Sequence, residues 1–221
     1  MKIISYKYID NMKVLELFKG SGSITKYYEG SNTEVISLDI VKEYNPTICC
    51  DIMDFDYKQY PVGYFDIIWA SPECKIYSSI QPILVGRVHK DKEDLIRKQI
   101  ENSIYINRTI EIIKHLKPRY YFIENPQFSS IWKYIDDIEF KELCINVDYC
   151  YFGYDYKKPT KILTNRVLEN RKCKCKRHNK LVFKMTGKKQ LEEKYSIPQS
   201  LLEYLLPKPK KEKKLVLVSS S

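Results

Sequence analysis

Two reactive side chains each follow an apolar segment that predicts a buried strand. Cys74 comes shortly after FDIIWA, on a loop that carries Pro72, and Lys75 is its neighbour. A thiol beside a cation has a lowered pKa and acts as a nucleophile, although many cysteines are simply small buried residues. Glu124 follows YYFI, where an apolar environment raises a carboxyl pKa and favours proton donation. The plainer interpretation of that site is the start of a helix at Pro126.

A second group of residues is suited to binding a cofactor. Residues 16–23, ELFKGSGS, place Gly20 and Gly22 between a strand and a helix, where the backbone approaches a polar or anionic ligand closely. Asp39 follows the second strand and Asp51 the third, and acids at strand ends bind ribose hydroxyls or amines. Taken alone, each of these features fits an ordinary turn or a helix cap equally well. Three strand ends in register indicate a nucleoside-containing cofactor.

The elements that must position these residues alternate along the first two thirds of the chain. The apolar runs predict strands over 14–18, 34–40, 47–51, 64–70, 120–123, 143–147 and 161–164. The helical patterns lie over 24–29, over 91–116 before Pro118, and within 190–206, where Pro198 opens a final helix. Strands that alternate with helices predict an α/β protein with a largely parallel sheet.

Taken in order, these motifs resemble those of the DNA cytosine-5 methyltransferase family. Each of the first five predicted strands is followed by one motif. In chain order these motifs are FxGxG, an acid, Asp, PxC and ENP, which is the order found in that family. Residues 149–166, YCYFGYDYKKPTKILTNR, resemble the segment that short phage- and virus-type members carry in place of a Gln-x-Arg-x-Arg motif. Residues 194–205, KYSIPQSLLEYL, resemble their closing segment. The resemblance therefore covers residues 12–206.

The resemblance implies a Rossmann-like class I S-adenosylmethionine-dependent methyltransferase fold, with a mostly parallel seven-stranded sheet and helices on both faces. S-adenosyl-L-methionine is then the expected cofactor. Phe18 would lie beside its adenine, Asp39 would bind the ribose hydroxyls, and Asp51 would bind the adenine amine. The residues expected to bind the cofactor are Phe18, Gly20, Gly22, Asp39, Ile40, Asp51, Ile52, Ser71 and Pro72.

The resemblance also implies methyl transfer to C5 of cytosine in DNA through a covalent adduct between Cys74 and C6. Glu124 would hold N3 and the exocyclic amine of the base. The expected partner is duplex DNA, whose target base must leave the stack. We expect a monomer in the cytoplasm, or in the host cytoplasm or nucleus for a viral protein. The residues expected to contact nucleic acid are Ser78, Lys158, Thr160, Lys161, Lys172, Lys174, Lys176 and Arg177.

Three departures from the family pattern leave other functions open. Glu73 replaces a proline, and its carboxylate should raise the pKa of the adjacent thiol unless Lys75 offsets it. Lys158 lies where the family has its arginine motif, and residues 165–189 replace a large target-recognition domain. The alternatives are the same chemistry on RNA or single-stranded DNA, and a degenerate methyltransferase-like protein that only binds nucleic acid.

Positive charge is concentrated near the end of the chain, which has 221 residues and a formal net charge of +10. Residues 157–189 contain thirteen Lys and Arg but one acid, whereas residues 1–156 are slightly acidic overall. A basic block indicates an acidic partner such as nucleic acid. We therefore divide the chain into a catalytic and cofactor-binding core at 1–164, a basic insertion at 165–189, a closing helix at 190–206 and a basic disordered tail at 207–221.

Other features of the sequence exclude several classes of protein. No apolar run approaches the ~20 residues that a membrane span requires, and residues 1–10 are too polar for a signal peptide. The seven cysteines have no regular spacing and are expected to be thiols in a reducing compartment. Cys173, Cys175 and His178 are too few for a zinc site, which needs four ligands, so we predict no metal and no membrane association.

Overall fold

The computed structural model describes residues 11–175 and 195–208, in which seven strands form one sheet. The strands are β1 (Lys13–Leu17), β2 (Glu34–Asp39), β3 (Ile48–Cys49), β4 (Ile67–Ala70), β5 (Tyr120–Pro126), β6 (Cys144–Asp148) and β7 (Pro159–Thr164). The α-helices are α1 (Ser23–Tyr28), α2 (Lys92–Leu116), α3 (Ile138–Glu142) and α4 (Gln199–Leu205).

The sheet has a parallel part and an antiparallel edge. Its strand order is β3-β2-β1-β4-β5-β7-β6. Neighbouring strands from β3 to β5 pair in parallel. Strand β7 lies antiparallel between β5 and β6. Because the carboxyl ends of parallel strands meet at one edge of a sheet, the loops after β1 to β5 share that edge. The prediction of a mostly parallel seven-stranded sheet is confirmed.

Helices cover both faces of the sheet, as expected. On one face α2 buries Ile106 and Ile110, and on the other α1 and α4 bury Ile24 and Leu201. Successive side chains of a strand point to opposite faces, so the apolar strand residues divide between the two cores. Trp69 of β4, for example, packs with α1 and α4, while both of its neighbours in the strand pack with α2.

Helix α2 begins and ends as predicted but buries a narrower face. Asp91 caps it by accepting a hydrogen bond from the Asp94 backbone N–H at 2.7 Å. Three isoleucines that we expected on the core face are about half exposed, namely Ile96, Ile100 and Ile104. These isoleucines are spaced four residues apart, so they lie on one stripe along the helix surface. That stripe is separate from the buried stripe that contains Leu95 and Gln99.

Several element bounds differ from the predictions. Strand β3 has two residues instead of five, and β4 begins at Ile67 instead of 64. Strand β5 continues to Pro126, because its last residues pair with β7. The end of the predicted core at 164 coincides with the end of β7. The basic insertion and the tail are described only as far as Cys175 and Lys208. None of the helices within the described ranges is long and apolar enough to cross a membrane.

Candidate active site

The turn after β1 depends on backbone conformations that favour glycine. Phe18, Gly20 and Gly22 have φ angles of 58°, 48° and 69°, in the left-handed region. The Gly20 backbone N–H donates to Asp39 Oδ2 at 2.9 Å, and the Val41 N–H donates to Asp39 Oδ1 at 2.9 Å. The buried Asp39 carboxylate therefore ties this turn to the end of β2.

Glu16, which the sequence analysis treated only as part of the glycine motif, holds the start of α1. Its Oε1 accepts from the Ile24 N–H at 3.0 Å, and its Oε2 accepts from the Thr25 N–H at 3.2 Å and from Thr25 Oγ1 at 2.5 Å. Burial raises the pKa of this carboxyl, and the hydrogen bonds from Thr25 and Ile24 oppose that shift. Because the N-cap residue Gly22 has no side chain, Glu16 satisfies the first amides of the helix.

A cavity of about 220 Å³ opens between this turn, the loops after β2 to β4, and α2. Its lining includes six of the nine residues predicted to bind the cofactor, namely Phe18, Asp39, Ile40, Asp51, Ile52 and Pro72. The other three are not among the lining residues. Gly20 and Gly22 shape the adjacent turn, and Ser71 Oγ accepts a hydrogen bond from Trp69 Nε1 at 2.9 Å.

The sequence analysis missed the wall that α2 contributes. Asn102, Tyr105 and Ile106 of this helix line the cavity, together with Leu38, Cys50, Glu73, Tyr77 and Ile131. No motif marks these residues, because their position depends on how α2 packs across the sheet. The only available signal was Asn102, a polar side chain one turn before the buried Ile106.

The chemistry of the lining fits a nucleoside cofactor. Phe18 and Ile52 supply apolar surface for a flat ring, and the carboxylates of Asp39 and Asp51 supply acceptors for hydroxyl and amine groups. Asp51 Oδ1 accepts from the Met53 N–H at 2.9 Å, which fixes the direction of that side chain. The predicted residues therefore meet around one cavity of suitable character.

Cys74 lies in the loop after β4 and Glu124 lies near the end of β5, close enough for the charge of Glu124 to act on the thiol. Asn125 Nδ2 donates to the Pro72 carbonyl at 2.7 Å, which joins the end of β5 to the loop that carries Cys74. Burial raises the pKa of the Cys74 thiol, the negative charge of Glu124 raises it further, and the positive charge of Lys158 lowers it. The thiol, the carboxylate and the ammonium group are therefore coupled electrostatically.

Lys158 and Tyr149 both approach the Glu124 carboxylate. Lys158 Nζ lies 3.8 Å from Glu124 Oε1, and Tyr149 Oη donates to the same oxygen at 3.2 Å. The ammonium group also lies 4.5 Å from the centroid of the Tyr149 ring. Burial and the charge of Glu124 raise the pKa of Tyr149 well above its ordinary value, so its hydroxyl remains a donor. The sequence analysis did not identify Tyr149, since no motif marks its contact with Glu124.

The prediction that the Cys74 thiol has a lowered pKa beside Lys75 is wrong, because burial and the charge of Glu124 raise that pKa. The cation that opposes this rise is Lys158, which lies beside Glu124, while Lys75 is exposed. Glu73 does raise the pKa of Cys74, as predicted, but less than burial and Glu124 do. The exposed position of Glu73 explains its small effect, because water screens an exposed charge.

One relative decides the family of the chain. A probable DNA (cytosine-5)-methyltransferase of Frog virus 3 (isolate Goorha) is 30% identical over 162 residues, which are 70% of this chain and 71% of the relative. The chain belongs to the DNA (cytosine-5)-methyltransferase family. It is an enzyme of the methyltransferase class, as the ordered motifs predicted. No protein-family model matches the chain.

One solved structure supports the fold of this methyltransferase, and a second has a lower similarity. The Entamoeba histolytica methyltransferase EhMeth aligns with a TM-score of 0.52 and 17% identity, covering 80% of this chain and 63% of that one. The chain thus spans less than two thirds of that structure. A putative DNA modification methyltransferase encoded within an E. coli prophage aligns with a TM-score of 0.49 and 14% identity, over 70% and 46% of the two chains. The class I methyltransferase fold is confirmed.

The lysines expected to contact nucleic acid lie on the β5–β7 side of the methyltransferase. Lys161 Nζ lies 5.4 Å from the centroid of the Trp132 ring. Lys172 is exposed and donates to Gln127 Oε1 in the loop that follows Glu124, and Lys174 is also exposed. Lys176 and Arg177 lie outside the described residues. A segment that is distant in sequence therefore returns to the loop after β5.

Two other residues expected to contact nucleic acid are less accessible. Thr160 is fully buried, and its hydroxyl donates to the Lys158 carbonyl at 3.2 Å. Thr160 pairs with Pro126 of β5 on one side and with Val147 of β6 on the other, so the neighbouring strands cover it. Its hydroxyl therefore supports the backbone of Lys158. Ser78 is half-buried and accepts from the Ile80 N–H at 3.5 Å.

Three cysteines of the methyltransferase meet beside β6. The Cys173 thiol forms hydrogen bonds with Cys175 and with Cys150, which lower its pKa. Burial and the contact with Cys173 raise the pKa of Cys150 to about 12. Within residues 11–175 and 195–208, no group of three or more His, Cys, Asp or Glu is arranged to hold a metal ion. His178 lies outside those ranges.

Proposed function

We propose that this chain transfers a methyl group from S-adenosyl-L-methionine to C5 of cytosine in DNA, through a covalent adduct between Cys74 and C6. The observation that carries the proposal is the coupled group of Cys74, Glu124 and Lys158 beside a cavity suited to a nucleoside. Membership of the family, and the name of the Frog virus 3 relative, support DNA cytosine as the substrate.

The cavity residues would hold the cofactor in the orientation that the family motifs imply. Phe18 would lie beside the adenine, Asp39 would accept from the ribose hydroxyls, and Asp51 would accept from the adenine amine. Ile52 and Pro72 would supply apolar walls. When bound, S-adenosyl-L-methionine supplies a methyl group on a positively charged sulfur, from which a carbon nucleophile accepts it.

The residues of the chain must activate cytosine, because C5 of the ring is a poor nucleophile. Cys74 loses its proton, and its sulfur forms a bond to C6. Glu124 in its protonated form gives its proton to N3 as the C5–C6 double bond opens, so that an enamine with a C4–C5 double bond forms and C5 becomes nucleophilic. Once C5 carries the methyl group, transfer of the C5 proton to a solvent base and cleavage of the C6–S bond restore the C5–C6 double bond and the thiolate, and the N3 proton returns to Glu124.

Lys158 would offset the electrostatic cost of this arrangement. Burial and the charge of Glu124 both disfavour the Cys74 thiolate, and the ammonium group of Lys158 favours it. Tyr149 and Lys158 both approach Oε1 of Glu124, which leaves Oε2 to face the base. The buried pair Tyr149–Glu124 would thus orient the acid, and Lys158 would tune the nucleophile.

The DNA would lie across the β5–β7 side, where the exposed lysines are. Lys161, Lys172 and Lys174, with Lys176 and Arg177 of the basic insertion, would neutralise phosphates, and Ser78 would contact the strand near Cys74. Such contacts position a duplex without reading its sequence. A short basic insertion at 165–189 would thus take the place of a recognition domain.

Trapping with a modified substrate tests the proposal. We expect DNA that contains 5-fluorocytosine, incubated with enzyme and cofactor, to form a covalent complex, because fluorine at C5 prevents release of the thiolate. Cys74→Ser should form none, whereas Cys49→Ser, a change at an exposed thiol, should form as much as the wild type. Absence of the complex from wild-type enzyme with demonstrably bound cofactor would contradict the mechanism.

Competition among nucleic acids tests the substrate class. Unlabelled duplex DNA should displace a labelled duplex more effectively than single-stranded DNA or RNA of the same sequence. A strong preference for RNA, together with methylation of RNA cytosines, would move the same chemistry to that substrate. Binding of DNA without cofactor binding or methylation would instead indicate a degenerate protein that only binds nucleic acid.

A further inference from the structure

An exposed aromatic ring follows the Glu124 site directly. Phe128 is 71% exposed and lies at the tip of the turn that ends β5. Within the described part of the chain, its ring contacts no other aromatic ring and belongs to neither hydrophobic core. Single exposed apolar side chains are common, so exposure by itself assigns nothing. The surroundings of Phe128 are what distinguish it.

The turn that carries Phe128 is firmly held. The Ser129 N–H donates to the Pro126 carbonyl at 3.0 Å, and the Gln127 N–H donates to the Pro159 carbonyl at 2.9 Å. Trp132 Nε1 donates to the same Pro126 carbonyl at 2.9 Å. These bonds fix the backbone on both sides of the ring. Phe128 is therefore presented from a rigid turn, with little conformational freedom to lose on binding.

Lysines lie near the turn. Lys172 Nζ donates to Gln127 Oε1, next to the ring in sequence, and Lys161 Nζ lies over the Trp132 ring that braces the turn. Lys158 precedes Pro159, which pairs with the same turn. An exposed ring among lysines is the arrangement that binds single-stranded or unstacked nucleic acid, because bases stack on the ring while phosphates pair with the ammonium groups.

We propose that Phe128 stacks on an unpaired base of the bound nucleic acid, next to the target cytosine. The inference rests on the proposed function, which requires the target base to leave its stack and so exposes the faces of its neighbours. The distance along the chain is short, since Phe128 comes four residues after Glu124. The aromatic face accepts any base, so the contact would add affinity without adding sequence preference.

Binding measurements in a Cys74→Ser background test this role without turnover. Phe128→Ala should weaken binding of a 20-mer single strand, or of a duplex with a mismatched target cytosine, by about tenfold. Phe128→Trp should restore the affinity, and Phe128→Leu should not, because only an aromatic ring stacks. A 2-aminopurine beside the target should lose fluorescence on binding the Cys74→Ser protein and keep it on binding the protein that also carries Phe128→Ala.

Ile138→Ala is the matched control, since Ile138 is 70% exposed on α3, whose Phe140 packs on Tyr121 near the start of β5. It should bind like the parent protein. The salt dependence of binding should be unchanged in Phe128→Ala, because no charge is removed.

Wild-type affinity in Phe128→Ala, or full affinity in Phe128→Leu, would overturn the stacking role. These readings are independent of methyl transfer. A protein that forms no trapped complex yet depends on Phe128 for binding would refute the proposed function and keep this inference. Covalent trapping by a protein whose binding does not depend on Phe128 would support the proposed function and refute the stacking role of Phe128.

Discussion

The carboxyl edge of the sheet has two sides with opposite chemistry. On the β1–β3 side, Asp39 and Asp51 line a partly apolar cavity, and the acids are fixed by backbone N–H donors. On the β5–β7 side, the ammonium groups of Lys158 and Lys161 lie over the rings of Tyr149 and Trp132, and Lys172 and Lys174 are exposed. The first side suits a small ligand with hydroxyl and amine groups, and the second suits a polyanion.

The difference shows why Cys74 and Glu124 lie where they do. They occupy the boundary, in the loop after β4 and in β5, between the cavity proposed to bind the methyl donor and the surface proposed to bind the acceptor. Lys158 belongs to the basic side by position, yet its charge acts on both catalytic candidates. Substitutions on the two sides should therefore affect different measured quantities, and substitutions at the boundary should affect the chemical step.

The largest effect is expected at the boundary. Glu124→Gln should lower kcat for methyl transfer by about 100- to 10,000-fold, because an amide cannot hold the proton at N3. Affinity for the cofactor should be unchanged. Transfer of a radiolabelled methyl group to DNA measures the rate, and Glu111→Gln, an exposed carboxylate on α2, is the control. A loss confined to DNA affinity, with kcat intact, would show that Glu124 only binds.

Separate binding measurements test the division between the two sides. Lys172→Ala combined with Lys174→Ala should weaken DNA binding about tenfold at low salt and reduce the slope of log affinity against log salt by about two. Cofactor affinity, measured by calorimetry, should not change.

Asp39→Asn should have the opposite effect to the lysine substitutions: it should lower the affinity for the cofactor and leave the affinity for DNA unchanged. Equal losses of both affinities in either protein would mean that the two sides are not independent.

The charge of Lys158 predicts a shift in pH dependence. Burial and Glu124 raise the pKa of Cys74 and Lys158 lowers it, so Lys158→Met should raise that pKa further. Below its pKa, the thiolate fraction falls tenfold for each unit by which the pKa rises, so Cys74 should be alkylated by iodoacetamide only at higher pH than in wild type. Mass spectrometry of the Cys74 peptide follows the rate.

Lys161→Met serves as the control for that experiment, since its ammonium group lies over Trp132. It should leave the alkylation profile unchanged. An identical profile in Lys158→Met would show that this lysine does not act on the thiol.

The smallest effect is expected from Tyr149→Phe. The change removes one hydrogen bond to Glu124 Oε1 and should lower kcat by about three- to tenfold while KM for DNA stays constant. Steady-state kinetics separate the two constants. A raised KM with an unchanged kcat would place Tyr149 in DNA binding and would remove its role in orienting the acid.

Much of the fold was predictable because its signals are local. Apolar runs, glycine turns and Pro118 indicated the elements, and the order of motifs after the strands indicated the family. The predicted ends of the strands were less accurate where pairing with a neighbouring strand decides where a strand stops. Strand β5 continues through Glu124 to Pro126 only because β7 pairs with it, and β3 is short because it pairs with β2 at two positions.

The sequence by itself determined which residue types follow each strand, and hence the cavity residues Asp39 and Asp51 and the pair Cys74 and Glu124. Only the tertiary structure decided which side chains act on them. The contact of Tyr149 with Glu124, the wall from Asn102 and the return of Lys172 to the β5 loop join segments distant in sequence. Such contacts depend on packing across the sheet, which no local pattern encodes.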